Sequence, residues 1–515
     1  MNYEIELKGV LDGEHLEKIE ALRAVEDRTI GNTISRVLTA TYFDTPDYAL
    51  YRQGLSLRVR KSGKTYTQCL KQWDRSLGGM IGRKEWEVRI SGPTPKIDLI
   101  ENKKKRERIV RIGEENLRAV FQCVVRRHSH KLEFADGTTA VLDFDIGEVA
   151  AGAAKQLICE FELELTSGSA ERLLEFASII NQEVPFRLST VSKAARGFAL
   201  LNKDTPRARK WVKSSLPKKS TTKQAFADTL QRAISHLQAN EAAALLDDAE
   251  GIHQMRIALR RMSTILRAFR SILAKAEYDW AMGEAKWLRN ELSSARSWDV
   301  LVDDFLPPVA DPAMLVQGFD TLKSLAEDER QVHREQTHRA ITSARYTEFL
   351  LRLSTWLCGD ARRDKAPEQA ATDATELASD LLTKQLAKRF RNVHSIARKF
   401  KSMSGEDRHK LRISIKNLRY LIDLCADNYK RKKVRAFRKM LNPVQARLGY
   451  MNDVIAVELM LQTLADESSV KASSPVAKAA GIVIGWHRRE ARLIEKQLAS
   501  EVARLREAPA FWERK

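Results

Sequence analysis

Four short segments in the first 170 residues carry ionisable side chains at alternate positions. They are Glu4-x-Glu6-x-Lys8, Arg58-x-Arg60, Arg83-x-Glu85-x-Glu87 and Glu160-x-Glu162-x-Glu164. Carboxylates can hold Mg²⁺ or Mn²⁺ through hard oxygen ligands, whereas arginine and lysine bind phosphate oxygens. Together, the four series have the chemistry needed to bind a metal-complexed phosphate.

Alternation with a period of two predicts that each charged series lies on a β-strand, with its charged side chains on one face. A single series of this kind is typical of a solvent-exposed face of an antiparallel sheet. Here at least four strands share the pattern and carry both signs of charge. This combination favours a closed barrel whose lumen is lined by these side chains and holds a highly anionic, metal-bound ligand.

The same positions resemble the CYTH domain family, also called the triphosphate tunnel metalloenzymes. Beyond the four series, the matching motifs in chain order are Tyr42-Phe-Asp44-Thr-Pro, Lys71, Asp143-Phe-Asp145-Ile-Gly and Ser192-Lys193-Ala-Ala-Arg196. The resemblance covers residues 1–202 and implies an eight-stranded antiparallel tunnel that hydrolyses or rearranges triphosphates.

Site residues follow from this resemblance position by position. The implied metal ligands, for Mg²⁺ or Mn²⁺, are Glu4, Glu6, Glu160, Glu162 and Glu164. The implied phosphate-binding residues are Lys8, Arg58, Arg60, Lys71, Arg83, Arg127 and Arg196. The implied residues at the reacting end are Glu4, Lys193 and Asp145.

Two of these assignments depend on strand register. Asp143 and Asp145 share one strand face where the family has a single aspartate before glycine, and Asp145 is the preferred choice. Arg127 is chosen over Arg126 in a strand where His128 stands in place of an expected aromatic residue.

The C-terminal part of the chain contains an internal repeat of a helical motif. His253-x-x-Arg256-x-x-x-Arg260-Arg261 is followed by Asp299, and His409-x-x-Arg412-x-x-x-Lys416-x-x-Arg419 is followed by Asp453 at nearly the same distance. Positions three, four and seven apart share one helix face, so each copy presents a basic stripe. One such stripe is typical of a solvated face, but two equivalent stripes can line a common groove.

These stripes resemble the CHAD domain, a conserved-histidine helical domain, from about residue 223 to Trp512. The resemblance implies two four-helix bundles related by pseudo-symmetry, with inorganic polyphosphate bound by both stripes. The implied contacts are His253, Arg256, Arg260, Arg261, His409, Arg412, Lys416 and Arg419. It also implies that Asp299 and Asp453 orient arginines. Each histidine could instead pack or cap its helix.

The charge distribution agrees with a polyanionic partner for the second half. Residues 1–200 contain 31 basic and 29 acidic side chains, whereas residues 201–515 contain 57 and 39. A basic surplus of this size attracts polyphosphate, nucleic acid or an acidic membrane. The stripes lack interleaved aromatic residues for base stacking, so nucleic acid is not the expected partner.

We therefore expect an α+β multidomain chain. A tunnel domain (1–202) and a linker (203–222) precede a helical domain (223–515) with repeats at about 223–360 and 375–515. No apolar stretch reaches the ~20 residues that a spanning helix needs, and no signal peptide is visible. Five scattered cysteines suggest a reducing cytoplasm, and association with polyphosphate granules is left open. The sequence does not predict an oligomeric state.

The expected function is metal-dependent hydrolysis of tripolyphosphate to pyrophosphate and phosphate, with polyphosphate binding by the helical domain. Two alternatives remain open at this stage. One is a polyphosphate-binding or granule protein with an inactive tunnel. The other is an adenylate cyclase or an organic triphosphatase, such as a thiamine triphosphatase, because the same fold hosts these activities.

Overall fold

The structure is a computed structural model that describes residues 2–72, 76–77, 80–212, 216–217, 219–309, 317–358, 375–467 and 475–513. The chain forms two compact units. Unit 1 comprises Met1–Pro206 and Thr342–Asp360, and unit 2 comprises Arg207–Ile341 and Ala361–Lys515.

The described residues of unit 1 form ten strands. They are β1 (Asn2–Val10), β2 (Thr29–Asp44), β3 (Leu55–Ser62), β4 (Thr65–Gln72), β5 (Ser76–Leu77), β6 (Met80–Ile90), β7 (Arg118–Glu133), β8 (Thr139–Ala151), β9 (Ala154–Ser167) and β10 (Arg187–Leu188).

The helices of the described residues run through both units. In chain order they are α1 (Gly13–Glu20), α2 (Arg23–Glu26), α3 (Ala49–Arg52), α4 (Lys103–Gly113), α5 (Ala170–Glu183), α6 (Lys193–Asn202), α7 (Thr222–Gln238), α8 (Glu241–Ala244), α9 (Ala249–Ala268), α10 (Lys275–Asp299), α11 (Phe319–Ile341), α12 (Ala344–Cys358), α13 (Ala378–Ala397), α14 (Gly405–Cys425), α15 (Arg431–Glu467) and α16 (Pro475–Arg506).

Eight antiparallel strands of unit 1 close into a barrel. Their order is β1-β9-β8-β7-β2-β3-β4-β6, and β6 pairs back onto β1 to complete the ring. The two short strands β5 and β10 add to its edges. Closure gives every barrel strand two partners, so alternate side chains of each strand point into one shared lumen. This confirms the predicted eight-stranded tunnel.

One end of the lumen is filled by helix α6 and an apolar cluster. Phe198 and Ala194 of α6 pack with Phe121, Tyr42 and further buried apolar side chains of β2, β7, β8 and β9. Gly197 permits this close approach, because a Cβ there would lie 2.1 Å from the Phe121 ring. Ser192 starts the helix by accepting a hydrogen bond from the Ala195 amide. The sequence thus fixes Lys193, the first residue of α6, at the inner end of the lumen.

Unit 2 contains two sets of four long helices, which confirms the predicted all-α region. The first set is α7, α9, α10 and α11, and the second is α13, α14, α15 and α16. Thr221 forms a capping box at the start of α7, while Asp248 and Ser404 cap α9 and α14. Helix α9 contacts α14, and an apolar core joins α10 and α11 to α15 and α16.

Helix α12 belongs to unit 1, although the sequence analysis assigned its residues to the first helical repeat. It packs on α5, where the Asn181 side chain donates to the Ala344 carbonyl at 2.9 Å and the Thr347 hydroxyl donates to the Phe186 carbonyl at 2.5 Å. In the described residues, no helix combines the length and the apolar character that crossing a membrane requires.

Candidate functional site

The lumen of the barrel holds a cavity of about 310 Å³ lined mainly by charged side chains. Its basic lining residues are Lys8, Arg36, Arg58, Arg60, Lys71, Arg127 and Lys193, and its acidic ones are Glu6, Glu85, Glu87, Asp143, Glu162 and Glu164. The two signs nearly balance among these residues. Such a cavity suits a ligand that brings both negative charge and metal ions, rather than a bare anion.

A dense ionic network surrounds Glu160 and Glu162 near α6. The Lys8 ammonium lies 2.9 Å from a Glu160 oxygen and 2.7 Å from a Glu162 oxygen. Lys193 reaches the same two carboxylates at 2.5 and 2.9 Å. Arg196 binds Glu160 alone, at 2.6 Å. Glu160 is fully buried and does not line the cavity, whereas Glu162 faces it.

This network shifts the pKa values of Glu160, Glu162 and Lys193. Burial alone would raise the pKa of Glu162, but Lys193 and Lys8 hold it well below its usual value. The same two lysines outweigh burial at Glu160 and lower its pKa to about 2. Burial would lower the pKa of Lys193, but Asp145 and the two glutamates raise it well above its usual value. All these groups are therefore ionised near neutral pH.

The register around Arg127 is now defined. Arg127 points into the lumen, where it binds Asp143, Asp145 at 2.5 Å and Glu162 at 2.7 Å. Arg126 faces outward and is exposed. Both aspartates thus bind Arg127, but only Asp143 lines the cavity, because Asp145 is fully buried against Lys193 at 2.7 Å.

The opposite wall is formed by β3, β4 and β6. Lys71 lies 2.9 Å from Glu85, and the Arg58 guanidinium lies 3.8 Å from the same carboxylate. Arg60 pairs with Glu87 at 3.2 Å. Lys71 of β4 and the two arginines of β3 therefore all face carboxylates of β6, so the cations of this wall are paired before any ligand binds.

The structure brings most of the predicted tunnel residues to the cavity. Glu160, Asp145 and Arg196 lie behind it in the buried network. The side chains of Glu4 and Arg83 lie outside the described part of the structure, although their backbones pair directly across β1 and β6. The sequence analysis missed Arg36, which pairs with Arg127 across β2 and β7 and also lines the cavity.

The cavity offers a donor set for a hard divalent cation. Glu6, Asp143, Glu162 and Glu164 present carboxylates to it from three strands. Carboxylate oxygens of Asp145, Glu160 and Glu162 also lie within 4.8 Å of one another, but Asp145 and Glu160 are buried behind the cavity and do not line it. The fit is therefore better among the four residues that face the cavity.

In unit 2, basic side chains of α9, α10 and α14 converge. This basic cluster comprises His253, Arg256, Arg260, Arg289, Arg296, Arg412 and Lys416, whose charges act on one another. Both predicted stripes therefore face the same region. The apolar faces of α9 and α14 are buried, as their spacing predicts.

The pKa values of cations in the basic cluster are lowered, whereas the pKa of Lys193 in the tunnel is raised. Burial and repulsion by Arg260 and Arg412 lower the pKa of Lys416 to about 7. Burial and repulsion by Arg260 lower the pKa of Arg256 to about 9, and burial and Arg296 lower that of His253 to about 4. Asp453 acts on Arg256, Arg412 and Lys416 but offsets only part of the burial and repulsion that lower their pKa values.

Other predicted residues of the repeat lie apart from the basic cluster or make different contacts. The Arg261 guanidinium lies over the Tyr420 ring at 5.4 Å, and Arg419 lies over the same ring at 4.9 Å. His409 is exposed, with its Nδ1 atom 2.7 Å from the Asn452 side-chain oxygen. The predicted orienting role of Asp299 has a structural basis, since Arg334 donates to this carboxylate at 2.8 Å.

Comparisons with known proteins match two successive parts of the chain to two different domain families. A family model of the CYTH domain matches residues 2–198, and one of the CHAD domain matches residues 228–462. An inorganic triphosphatase of Haemophilus influenzae is 30% identical over 164 residues, which are 32% of this chain and 46% of that protein. The chain thus matches about half of the length of this relative.

Two further similarities concern longer stretches. An uncharacterized protein of Mycobacterium tuberculosis is 24% identical over 418 residues, covering 74% of this chain and 75% of the relative. The crystal structure of the CHAD domain from the plant Ricinus communis aligns with a TM-score of 0.50 and 26% identity, over 59% of this chain and 99% of that domain. The chain therefore combines a CYTH domain with a CHAD domain.

Proposed function

We propose that the tunnel is a metal-dependent inorganic triphosphatase, which hydrolyses tripolyphosphate to pyrophosphate and phosphate. The observation that carries this proposal is the charge pattern of the cavity, in which facing walls present carboxylates and phosphate-binding cations. The similarity of this part of the chain to an inorganic triphosphatase supports the same activity.

The cations of one wall would bind the phosphate chain. Arg36, Arg58, Arg60 and Lys71 reach the cavity from three neighbouring strands, so they can contact successive phosphate oxygens. Their charges would favour the build-up of negative charge as water adds to a terminal phosphorus and pyrophosphate leaves. Lys8 and Lys193 have a different role in this proposal, because they hold the carboxylates Glu160 and Glu162 in place.

The carboxylates Glu6, Asp143, Glu162 and Glu164 would hold Mg²⁺ or Mn²⁺, with Glu4 as a further ligand from the same strand face as Glu6. The cation would act as a Lewis acid on phosphoryl oxygens and help to generate the attacking water. Glu162 stays ionised because its pKa is lowered, so this ligand is available over the whole neutral range.

The lining of the cavity favours an inorganic substrate over a nucleotide. Tyr42 is the one aromatic residue among the described lining residues, and its ring is buried and stacked on Phe121 at 4.4 Å. A purine or thiazolium ring would therefore find no free aromatic face in this cavity. This argues against a cyclase, which has to recognise a base.

Phosphate release from tripolyphosphate, ATP and thiamine triphosphate tests this proposal, with Mg²⁺ and Mn²⁺ compared. We expect tripolyphosphate to give the highest kcat/KM. The substitution Glu162→Gln should abolish turnover, whereas Glu148→Gln, at a partly exposed carboxylate paired with Lys155, should leave it unchanged. A preference for ATP with cyclic AMP as product would refute the proposal.

For unit 2 we propose binding of inorganic polyphosphate at the basic cluster. Arg260, Arg289, Arg412 and Lys416 form no salt bridge with any described residue, so their charge is left for a ligand. The row continues through Arg267 and Arg389, since burial and repulsion by Arg267 lower the pKa of Arg389. A row of cations from several helices suits a linear polyanion, and polyphosphate granules in the cytoplasm would be a place for such a protein.

Competition between polyphosphate and double-stranded DNA at several salt concentrations tests this binding. Both polyanions release counterions, so both affinities should fall with salt. We expect polyphosphate to displace DNA, and Arg256→Ala with Arg260→Ala to weaken polyphosphate binding while the exposed control Arg489→Ala does not. Tighter binding of DNA than of polyphosphate would contradict the assignment.

A further inference from the structure

Unit 2 contains a cavity whose lining differs from that of the tunnel and from the basic cluster. It has a volume of about 900 Å³ and lies between α9, α14, the start of α15 and the segment before α7. Its walls include Trp211, Tyr420, Leu424, Ile265 and Val434. Aromatic and apolar surfaces of this extent suit an organic ligand rather than bare phosphate.

Trp211 is held in position, although it precedes the first helix of unit 2. The backbone carbonyl of Arg209 accepts hydrogen bonds from Asn240 at 3.1 Å and contacts the His236 ring nitrogen at 3.0 Å. The Trp211 ring packs edge-on against His236. The segment that the sequence indicated as part of a linker therefore contributes an ordered wall to the cavity.

Arg261 joins the two aromatic residues of the cavity. Its guanidinium lies 4.4 Å from the Trp211 ring centre and 5.4 Å from that of Tyr420. Asp423 orients it at 3.5 Å and binds Arg438 at 2.5 Å. Both arginines keep a buried Nε atom with no acceptor among the described residues, so acceptor atoms of a ligand would relieve a costly unsatisfied donor.

Four cations of the first turns of α15 flank these aromatic walls. They are Arg431, Lys432, Arg435 and Lys439. None of them forms a salt bridge with a described residue. The helix begins at Arg431, so the positive end of its dipole adds to their field. An anionic group bound here would lie next to the aromatic part of the cavity.

We propose that this cavity is a binding site for a nucleoside phosphate, distinct from the tunnel and from the basic cluster. The planar base would stack on Trp211, which is only partly buried, as bases do on aromatic side chains in other nucleotide sites. Its phosphates would contact Arg435, Lys439 and the neighbouring cations. Asn442 lines the cavity and offers both a donor and an acceptor to a base edge.

Calorimetric binding of ADP, pyrophosphate and adenosine to the full chain tests this site. ADP lacks the triphosphate that the tunnel is proposed to cleave. We expect ADP to bind at least about tenfold more tightly than either part alone, because base and phosphates contribute separately. Trp211→Ala and the double variant Arg435→Ala, Lys439→Ala should each weaken ADP binding about tenfold or more, which converts to a free-energy loss of about 1.4 kcal/mol.

Matched variants separate this site from the others. Arg58→Ala in the tunnel and Arg260→Ala in the basic cluster should leave ADP affinity unchanged, and Trp211→Ala should leave hydrolysis of tripolyphosphate unchanged. Trp211→Phe keeps a stacking surface and should retain most of the affinity for ADP. This variant serves as a control for misfolding in Trp211→Ala. Equal binding of pyrophosphate and ADP, loss of ADP binding in Arg58→Ala or Arg260→Ala, or no ADP binding at all would each overturn the proposal.

Discussion

The tunnel and the basic cluster both contain several cationic side chains, but they differ in how far nearby carboxylates neutralise these cations. In the tunnel, Lys193 lies within 3 Å of three carboxylates, and these raise its pKa. In the basic cluster, burial and repulsion by Arg260 and Arg412 lower the pKa of Lys416 to about 7. The cations of the tunnel are paired with carboxylates, whereas the described carboxylates around the cluster offset only part of the repulsion between its cations.

This difference separates two ways of binding phosphate. A balanced site gains little from a bare polyanion, because its cations are already paired, and it suits a substrate that arrives with metal ions. An unbalanced site is destabilised until a polyanion arrives, so ligand binding also relieves strain in the protein. The same contrast predicts how each region responds when metal, charge or protons are changed.

Removal of divalent metal should have the most different effects on hydrolysis in the tunnel and on polyphosphate binding at the basic cluster. With a chelator, we expect hydrolysis of tripolyphosphate to stop, because the carboxylates facing the cavity then lack the cation they are proposed to hold. Binding of long-chain polyphosphate to the basic cluster should persist, because it relies on arginine and lysine alone. Turnover assays and fluorescence anisotropy on one sample measure both. Loss of polyphosphate binding together with turnover would remove the contrast.

Removing one cation from each region should change stability in opposite directions. Lys193→Ala leaves buried carboxylates without their partner, so we expect a loss of about 3 kcal/mol in the free energy of unfolding. Arg260→Ala removes a repulsive charge and should raise stability by about 0.5 kcal/mol. Denaturant melts measure both, with Lys155→Ala, an exposed lysine, as control. Destabilisation of similar size in both variants would show that the cluster is internally compensated.

Polyphosphate binding should be coupled to proton uptake. Lys416 has a pKa of about 7 in the free protein, so at about pH 8 it is mostly neutral, and a bound polyanion would raise the pKa and protonate it. Calorimetry in buffers of different ionisation enthalpy should show uptake of about one proton at about pH 8 and much less at about pH 6. Lys416→Met should remove this dependence; its persistence in that variant would assign the proton elsewhere.

Acid should affect the two regions over different pH ranges. His253 has a folded pKa of about 4, below its ordinary 6.5. The unfolded chain therefore binds a proton at this histidine more readily than the folded chain, so the free energy of unfolding of unit 2 decreases as pH falls from 6.5 towards 4. Glu160 has a folded pKa of about 2, below its ordinary 4.5, so the tunnel keeps its contribution until pH falls below 4.5 and loses it towards 2. Tryptophan fluorescence and hydrogen exchange during acid titration should show unit 2 loosening first. The reverse order would contradict the assigned shifts.

Strand positions were predictable because a period of two is a local property. Lys8, Arg58 and Arg60 all point into the lumen, as their alternation indicates. The separation of Glu160 from Glu162 was not predictable from the same alternation. It depends on α6, which places Lys193 and Arg196 against one end of the lumen and encloses Glu160 there.

In unit 2 the sequence predicted the stripes but not their surroundings. Arg289 and Arg296 join the basic cluster from α10, and no spacing within the repeat reveals a contact between helices. Trp211 lies in a segment rich in charged residues, and only the fold brings it over Arg261. Tertiary packing therefore supplied the residues that distinguish the two regions of unit 2.

The most direct test of the account is phosphorus NMR of tripolyphosphate incubated with the full chain and Mg²⁺ or Mn²⁺. The account predicts pyrophosphate and phosphate in equal amounts, formed by the wild-type chain and by Arg260→Ala, but not by Glu162→Gln. Unchanged tripolyphosphate with the folded wild-type chain, or equal turnover by Glu162→Gln, would contradict the assignment of the tunnel as the hydrolytic site.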